Sequence, residues 1–490
     1  MMRSLFAGVA GLKTHQTRMD VIGNNIANVN TTSYKSQSMT FSDLMYQTTQ
    51  PASGASGLRG GINARQIGLG SKTSAIKTSI TSQGASQTTN DPFDVRISGD
   101  AFFVVSDGVD KFFTRDGSFY IDGRGNLAMT STGFIVQGWQ EKDPETGNIL
   151  KKEVQPLRIM TNENQTFPPE ATTYATIGGL CDKNDTDINS ADGKQMNLEF
   201  FDNQGYSYTA QFSVHAVKDQ NGDQIDNQFS VQLDDILDSS GNSVVWTDST
   251  KTTKTAFGEK VTFGKQATAQ GDKHFGAELL VYQKGTGEFI SIGGDAPTTD
   301  ATTGLVTVNN KSDTALLKID LPNFKPVADG ANTAPGMLVD FSGTFNYDKN
   351  GVATLAAVAG EEDGSNSGYR QGSLSGITIQ NNGLIYGTYD NGQRKILGQI
   401  AVATFSNASG LEKKGDNLYS STMNSGEFDG IGVDISTTGG RMDAGVLEMS
   451  NVDLSSEFTE MITTQRGFQA NSRIITVSDT LLEELTNLKR

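Results

Sequence analysis

Residues 454–487 read LSSEFTEMITTQRGFQANSRIITVSDTLLEELTN, and this stretch decides the fold of the chain's ends. Apolar side chains recur in it every seven residues, at Leu454, Met461, Phe468, Ile475 and Leu482. A seven-residue apolar repeat is typical of a helix that packs lengthwise on another helix. A second apolar row beside the first, at Ile474, Leu481 and Leu488, widens the stripe. The stretch therefore predicts a long C-terminal helix that more than one neighbour covers.

The N-terminal segment repeats this pattern at Leu5, Leu12, Met19 and Ile26. No proline precedes Pro51 or follows Pro335, so both ends lack the residue that most strongly breaks helices. Propensity alone does not stabilise such helices, so their apolar faces need partners. Two arrangements fit: the ends pair with each other as one intramolecular coiled coil, or they also pack against copies of the chain. The nine residues of the two seven-residue repeats are called the seam residues below: Leu5, Leu12, Met19, Ile26, Leu454, Met461, Phe468, Ile475 and Leu482.

The middle of the chain has the pattern of short β-strands. Apolar runs such as residues 102–105, 118–121 and 133–136 are separated by Asp- and Gly-rich turns. Asn-Gly pairs at 221–222, 350–351, 382–383 and 391–392 lie beside strand-forming residues and predict hairpins. Residues 182–366 are richest in Asp, Asn, Thr and Ser, which suits a solvated outer domain. We therefore expect an α+β fold that is mostly β, in which terminal helices enclose β-rich inner and outer domains.

The composition excludes several classes of function. The 490 residues include 39 Lys and Arg but 56 Asp and Glu, a net charge of −17, so a nucleic-acid partner is not expected. No apolar run is long enough for a membrane-spanning helix, so membrane insertion is not expected either. One Cys and three His leave little for a disulfide framework, a metal site or a catalytic triad. We expect no enzyme activity, no catalytic residues, no cofactor and no metal.

Two short motifs match ligand-binding loops only in part. Residues 68–73 lack the Gly-Lys pair of a phosphate-binding loop, so a tight turn is predicted there. Residues 182–193 are acidic, as a calcium loop is. However, Asp187 and Gly193 stand where such a loop needs its glycine and its bidentate glutamate. An acidic loop without a bound ion is therefore predicted.

The first thirty residues lack the continuous apolar core of a cleavable signal peptide. A cysteine-poor chain of this kind is usually cytosolic, but some secretion routes use uncleaved N-terminal segments. The sequence pattern by itself leaves both locations open.

Three stretches together resemble the axial proteins of bacterial flagella, the family of rod and hook subunits. They are GNNIANVNTTSYK at 23–35, the segment 102–139 with DGRGNL and GFIVQGW, and SNVDL with QRGFQANS between 450 and 472. Ser33 stands where many members have Gly, and Phe468 replaces a common Tyr. The resemblance covers about 1–160 and 369–490, and the long insertion between these parts favours the hook subunits over the shorter rod subunits.

The resemblance implies a nested organisation. Residues 1–30 and 450–490 would form the helical core domain, and 31–70 with 441–449 a connecting segment. Residues 71–160 with 366–440 would form an inner β domain, and 161–365 the outer domain. Copies would polymerise into a curved tube that acts as a universal joint between motor and filament. The seam residues would form the core interface of that tube. A distal-rod or hook–filament junction subunit is the alternative within the family, and a secreted adhesin or enzyme is the alternative outside it.

The resemblance also implies partners and an export route. The partners would be further copies, rod, hook-cap and junction proteins, and the flagellar type III export apparatus. The chain would leave the cell without a cleavable signal and lie in the extracellular hook. Phe41 and Met45 fit the aromatic-x-x-x-hydrophobic export-gate signal of such subunits. Cys181 lies near the start of the predicted outer domain. In spirochaete hook subunits, a Cys in the same part of the chain becomes joined to a Lys of the next copy as lysinoalanine. The resemblance to hook subunits therefore makes Cys181 a candidate cross-link residue.

Overall fold

The computed structural model describes residues 2–487 except 56, 58, 145, 265–274, 295–296, 301–304, 310–311, 313, 320–323, 325 and 330–331. Leu488 of the second apolar row therefore lies outside the described residues. Three α-helices are present in the described part: α1 (Met2–Ala27), α2 (Asn162–Gln165) and α3 (Leu454–Asn487). Short 3-10 helices span Gly258–Lys260, Ala408–Gly410 and Ile435–Thr438. No described helix has the length and apolar character needed to cross a membrane.

Strands make up most of the remaining regular structure. The first part of the chain contains β1 (Gln37–Asp43), β2 (Tyr46–Gln50), β3 (Arg65–Gly68), β4 (Ser71–Thr78), β5 (Ser86–Thr88), β6 (Val95–Ser98), β7 (Phe102–Ser106), β8 (Lys111–Thr114), β9 (Phe119–Ile121), β10 (Leu127–Met129), β11 (Ile135–Trp139) and β12 (Gln155–Pro156). The middle contains β13 (Thr166–Phe167), β14 (Tyr174–Cys181), β15 (Lys194–Phe201), β16 (Ser207–Lys218), β17 (Gln224–Asp238), β18 (Val261–Phe263), β19 (Ala277–Tyr282), β20 (Phe289–Ile292), β21 (Thr298–Thr299), β22 (Val306–Thr307), β23 (Thr314–Ile319), β24 (Pro326–Asp329), β25 (Asn332–Pro335), β26 (Met337–Asn346) and β27 (Ala356–Ala359). The last part contains β28 (Gly372–Ile379), β29 (Leu384–Tyr389), β30 (Arg394–Ile400), β31 (Val402–Ala403), β32 (Glu412–Gly415), β33 (Leu418–Ser420), β34 (Arg441–Ala444) and β35 (Val446–Glu448).

The chain divides into two compact units. Unit 1 comprises Met1–Gln165, Ser375–Thr388 and Arg394–Arg490, and unit 2 comprises Thr166–Leu374 and Tyr389–Gln393. Unit 1 therefore contains both chain ends, and unit 2 is inserted into it. This is the mostly β, nested α+β class predicted from the sequence, with helices confined almost entirely to the two ends.

Unit 1 is organised around the strand β7. In its sheet the strands follow the order β29, β30, β11, β7, β8, β33, β32. Phe103 and Val105 pack into one core, whereas Phe102 and Val104 pack into a second core on the other face. All four side chains are fully buried. The uninterrupted apolar run follows from this position, because a strand covered on both faces has no polar side.

Unit 2 contains two five-stranded sheets that share one core. One sheet has the order β18, β23, β26, β14, β27, and the other has the order β15, β16, β17, β19, β20. Alternate side chains of both sheets enter the same cluster, among them Ile177, Val339, Phe212 and Val231. Polar residues alternate with them along the strands, as expected for sheets with one solvated face.

Three of the four predicted Asn-Gly hairpins are confirmed. Turns at 221–222, 382–383 and 391–392 connect neighbouring strands that lie next to each other in their sheets. The prediction at 350–351 is wrong, because β26 and β27 pair with opposite edges of β14 and not with each other. The turn itself forms, with positive φ at Asn350 and Gly351. The amides of Lys349 and Gly351 in this turn donate to the carboxylate of Asp182, which follows β14. The turn is thereby held at the end of β14, and β14 lies between β26 and β27.

Candidate functional site

The two terminal helices lie antiparallel along each other. Arg18 of α1 forms an ion pair with Glu460 of α3 at 2.9 Å, and the Asn25 amide donates to the Glu457 carboxylate at 2.8 Å. Further along, the backbone of α1 at Gly8 faces Ile475. Among the described residues, Arg18–Glu460 is the ion pair that joins the two helices. Exposed pairs of this kind contribute about 0–1 kcal/mol, so they fix register more than they stabilise.

Glycines let the helices approach closely. A Cβ on Gly11 would lie 2.7 Å from the Asn471 side-chain nitrogen, and a Cβ on Gly467 would lie 2.7 Å from the His15 ring. The most buried residues of α3 are polar, Thr464 and Ser478. Glycines and polar side chains therefore form part of the contact between the two helices, next to apolar side chains such as Ile475.

The seam residues are incompletely covered in the single chain. Leu5, Leu12, Met19 and Ile26 of α1 are half-buried, as are Met461, Ile475 and Leu482 of α3. Leu454 and Phe468 remain 39% and 36% exposed. More apolar side chains of α3 are between 44% and 57% exposed, namely Phe458, Ile462, Ile474, Val477, Leu481 and Leu485. Together these residues of α3 and the seam residues form an open apolar surface, called the helix surface below.

A turn rich in Asn and Thr connects α1 to unit 1's sheets. Asn28 closes the helix, because its backbone and side-chain amides both donate to the Asn24 carbonyl. Ser33 has φ of 57°, so the serine adopts the left-handed conformation that glycine usually supplies. Its hydroxyl donates to the Arg115 carbonyl at 2.8 Å, and its amide donates to the Glu448 carbonyl at 2.8 Å. These bonds hold the strained residue in place.

A fully buried charge cluster anchors the same region. Lys35 Nζ lies 2.7 Å from Glu448 Oε1 and donates to the Ser82 carbonyl at 2.7 Å. Arg115 Nη1 lies 3.8 Å from Glu448 Oε2, with its guanidinium above the Phe102 ring. Burial lowers the pKa of Lys35, and the Glu448 carboxylate opposes that shift. Sequence reasoning missed this cluster, because Lys35 and Glu448 are 413 positions apart and no local pattern joins them.

The predicted export residues lie along a two-stranded arm. Phe41 belongs to β1, which pairs with β4, and the arm continues as β2 with β3. The Phe41 ring lies edge-on 5.5 Å from the His15 ring, with the Arg18 guanidinium 5.4 Å from its centre. Met45 is 66% exposed. The two side chains thus differ: Phe41 packs partly on α1, and Met45 is largely free for recognition.

Cys181 is the last residue of β14 and is fully buried in the core of unit 2. Burial raises the pKa of its thiol to about 12, although a hydrogen bond with Tyr282 acts in the opposite direction. The thiol is therefore protonated at neutral pH, and a nucleophile of another copy does not reach it in this conformation.

The acidic loop after Cys181 has a structural explanation. Asp182 accepts from the amides of Lys349 and Gly351, and Asp185 accepts from the Ala353 amide at 2.5 Å. Burial raises the pKa of both carboxyls, but the backbone donors outweigh it, so both pKa values lie below the usual range. The two carboxylates thus bind a neighbouring loop. Among the described residues, no group of His, Cys, Asp and Glu side chains is arranged to hold a metal ion.

Comparison with known proteins gives the family. The N-terminal residues 5–35 match the model of the flagella basal body rod protein. Residues 96–191 match the D1 domain of flagellar hook protein FlgE/F/G, and 443–488 match the flagellar basal body rod FlgEFG protein C-terminal model. These matches fall on the three stretches that carried the resemblance.

Full-length relatives extend the match to the insertion. The flagellar hook protein FlgE of Treponema pallidum is 34% identical, and that of Borreliella burgdorferi is 33% identical, each over 100% of both chains. The protein of the same name from Salmonella typhimurium is 28% identical over 99% of this chain and 100% of its own. A solved structure of Helicobacter pylori FlgE2 covers 74% of this chain and 100% of that one at a TM-score of 0.42 and 13% identity. On the strength of the full-length sequence relatives, the chain belongs to the flagellar hook protein FlgE family.

Proposed function

We propose that this chain is the structural subunit of a flagellar hook and that copies polymerise into a curved helical tube. The observation that carries the proposal is the helix surface, the open apolar rows along α3 and α1. Burial of apolar side chains is favourable at about 25 cal/mol per Å², so these rows favour contact with further helices. The α1–α3 contact supplies only part of that cover, because the apolar rows remain half-buried or exposed in the single chain.

The proposed tube transmits motor torque to the filament while it bends. Bending requires each copy to change its contacts slightly as the tube turns. The polar, acidic unit 2 suits such contacts, because hydrogen bonds to water and to neighbours exchange at little cost. The proposed partners are further copies, rod, hook-cap and junction proteins, and the type III export apparatus.

Electron microscopy of assemblies of the purified chain tests the proposal. Short curved tubes are the expected result. Straight, rigid tubes would favour the distal-rod or junction alternative, and failure to form any tube would contradict the assembly function. Circular dichroism adds a second readout, because we expect the unassembled chain to have less helix than the polymer.

We further propose an extracellular location reached by the type III route without a cleavable signal, with Phe41 and Met45 as the recognised residues. The exposure of Met45 supports this role. For Cys181 we propose a cross-link to a lysine of the next copy, which requires the end of β14 to open during assembly, because the thiol is buried in the folded chain. Boiled assemblies that run only as monomer on a denaturing gel would contradict the cross-link.

A further inference from the structure

A basic cavity lies in unit 1, away from the terminal helices. It has a volume of about 400 Å³, and its lining includes three cations, Lys142, Arg158 and Lys395, one carboxylate, Glu163, and the polar residues Gln140, Thr161 and Asn164. Three cations around one opening stand out in a chain whose net charge is −17.

The cations of this cavity form no ion pair among the residues that the structure describes, and the single carboxylate in the lining, Glu163, leaves the cavity with a net positive charge. Lys395 Nζ donates to the Glu163 backbone carbonyl at 3.1 Å, and Arg158 Nε donates to the Arg124 carbonyl at 2.9 Å. Burial lowers the pKa of Lys142, and the Lys395 cation lowers it further. The Lys142 and Lys395 cations repel each other, and a bound anion would offset this repulsion. The cavity therefore favours the binding of an anion.

The opposite charge lies in unit 2 on an exposed turn, residues 361–363, which we call the acidic turn. Glu361, Glu362 and Asp363 follow one another between Gly360 and Gly364, both of which have positive φ. These carboxylates form local hydrogen bonds: Glu361 accepts from the Asn366 side-chain amide at 2.7 Å, and Asp363 accepts from the Ser365 backbone amide at 2.8 Å. Within the described part of the chain, no Lys or Arg forms an ion pair with them.

We propose that the basic cavity binds the acidic turn of a second copy of this chain in the polymer. The inference rests on the proposed assembly function, which brings copies together at high local concentration. Within the described residues the basic cavity has a net positive charge and the acidic turn has no ion pair, so a contact between the cavity of one copy and the turn of another is heterologous and repeats from copy to copy without closing. Complementary charges of this kind select the partner and the register of a contact.

Disulfide trapping tests the contact directly. Assemblies of a Lys395→Cys/Glu362→Cys chain, oxidised mildly and run without reductant, should give a ladder of dimers and higher multimers. The matched control is Lys414→Cys/Glu362→Cys, since Lys414 is an exposed lysine of the same unit that already pairs with Glu412. A ladder in the test pair alone supports the contact. Absence of a ladder, an equal ladder in the control, or a cross-linked monomer overturns it.

Charge reversal gives an independent readout. Lys395→Glu and Glu362→Lys should each raise the concentration needed for assembly by about threefold to tenfold, and the double variant should restore most of the loss. Additive losses in the double variant contradict the pairing. Assembly that strengthens with added inorganic phosphate and ignores Glu362→Lys would assign the cavity to a free anion and also overturn the proposal. Tubes without these effects refute only this contact, whereas an unmodified chain that forms no tubes refutes the assembly function as well.

Discussion

The substitution Glu448→Gln tests how the terminal helices are anchored to unit 1. Glu448 ends β35, a few residues before α3, and its Oε1 binds Lys35, which follows α1. Glutamine keeps an acceptor for Lys35 Nζ and for the Gly84 amide. The change therefore removes mainly the negative charge, and with it the carboxylate that faces both buried cations, Lys35 and Arg115.

Removal of one member of a buried ion pair costs about 3–5 kcal/mol, because the remaining charge stays out of water. Both side chains of the Lys35–Glu448 pair are 0% exposed, so solvent does not screen this loss. With a urea slope of about 3 kcal/mol/M, the unfolding midpoint of unit 1 should fall by about 1–1.7 M.

Tryptophan fluorescence measures the two units separately. Trp139 is buried in unit 1 and Trp246 in unit 2, and the chain has no other tryptophan. In a Trp246→Phe background, urea unfolding followed at Trp139 reports unit 1. Glu412→Gln is the matched control, because its exposed pair with Lys414 predicts a change of about 0–1 kcal/mol. A shift for Glu448→Gln no larger than that of the control would falsify the reasoning.

The pH dependence of the free energy of unfolding gives a second check on the Glu448→Gln prediction. The pKa of Lys35 in the folded chain lies below its ordinary value of 10.5, so the unfolded chain binds more protons between the two values. Stability therefore rises with pH across that interval. Without Glu448 the folded pKa falls further, so the deficit of the variant should shrink as pH rises toward 10.5.

Three further predictions concern other residues. Ser33→Gly should change the stability of unit 1 by less than about 0.5 kcal/mol, because relief of the left-handed strain offsets the lost hydrogen bond to the Arg115 carbonyl. Ser33→Ala should cost about 1–2 kcal/mol in the same Trp139 assay, because alanine loses the bond and keeps the strain. Equal losses in the two variants would be inconsistent with this account. Asp185→Asn should destabilise unit 2 by about 1–3 kcal/mol at pH 7, because the hydrogen bonds that Asp185 accepts stabilise the fold when its carboxylate is ionised. The stability difference between the variant and the unchanged chain should disappear as pH falls below 3.8, since the lowered folded pKa of Asp185 means that this stabilisation is lost on protonation. Urea unfolding followed at Trp246 measures the difference, and a difference that does not depend on pH would contradict the carboxylate's role. Phe41→Ala should reduce secretion of the chain severalfold while helix content by circular dichroism stays within error, and unchanged secretion would remove Phe41 from the export signal.

The terminal helices and most strands could be predicted because their signals are local. Heptad spacing indicated α1 and α3, and the buried run at 102–105 indicated β7. The order of β26, β14 and β27 could not be predicted, since it depends on Asp182 binding amides near Asn350, far along the chain. The same limit hid the Lys35–Glu448 pair. The motif at 23–35 contains Lys35, but its local pattern does not predict that Lys35 is buried or that its partner is Glu448. Both properties depend on the tertiary fold.

The position of Glu448 also sets an order of events in folding. The carboxylate that neutralises Lys35 lies 413 residues further along the chain. However early α1 and the arm become available, Lys35 has no counter-charge until the last tenth of the chain arrives. Contacts of such long sequence separation form late. Under the proposed export route, unit 1 would therefore not close before α3 arrives, and α3 is the helix that we propose meets neighbouring copies.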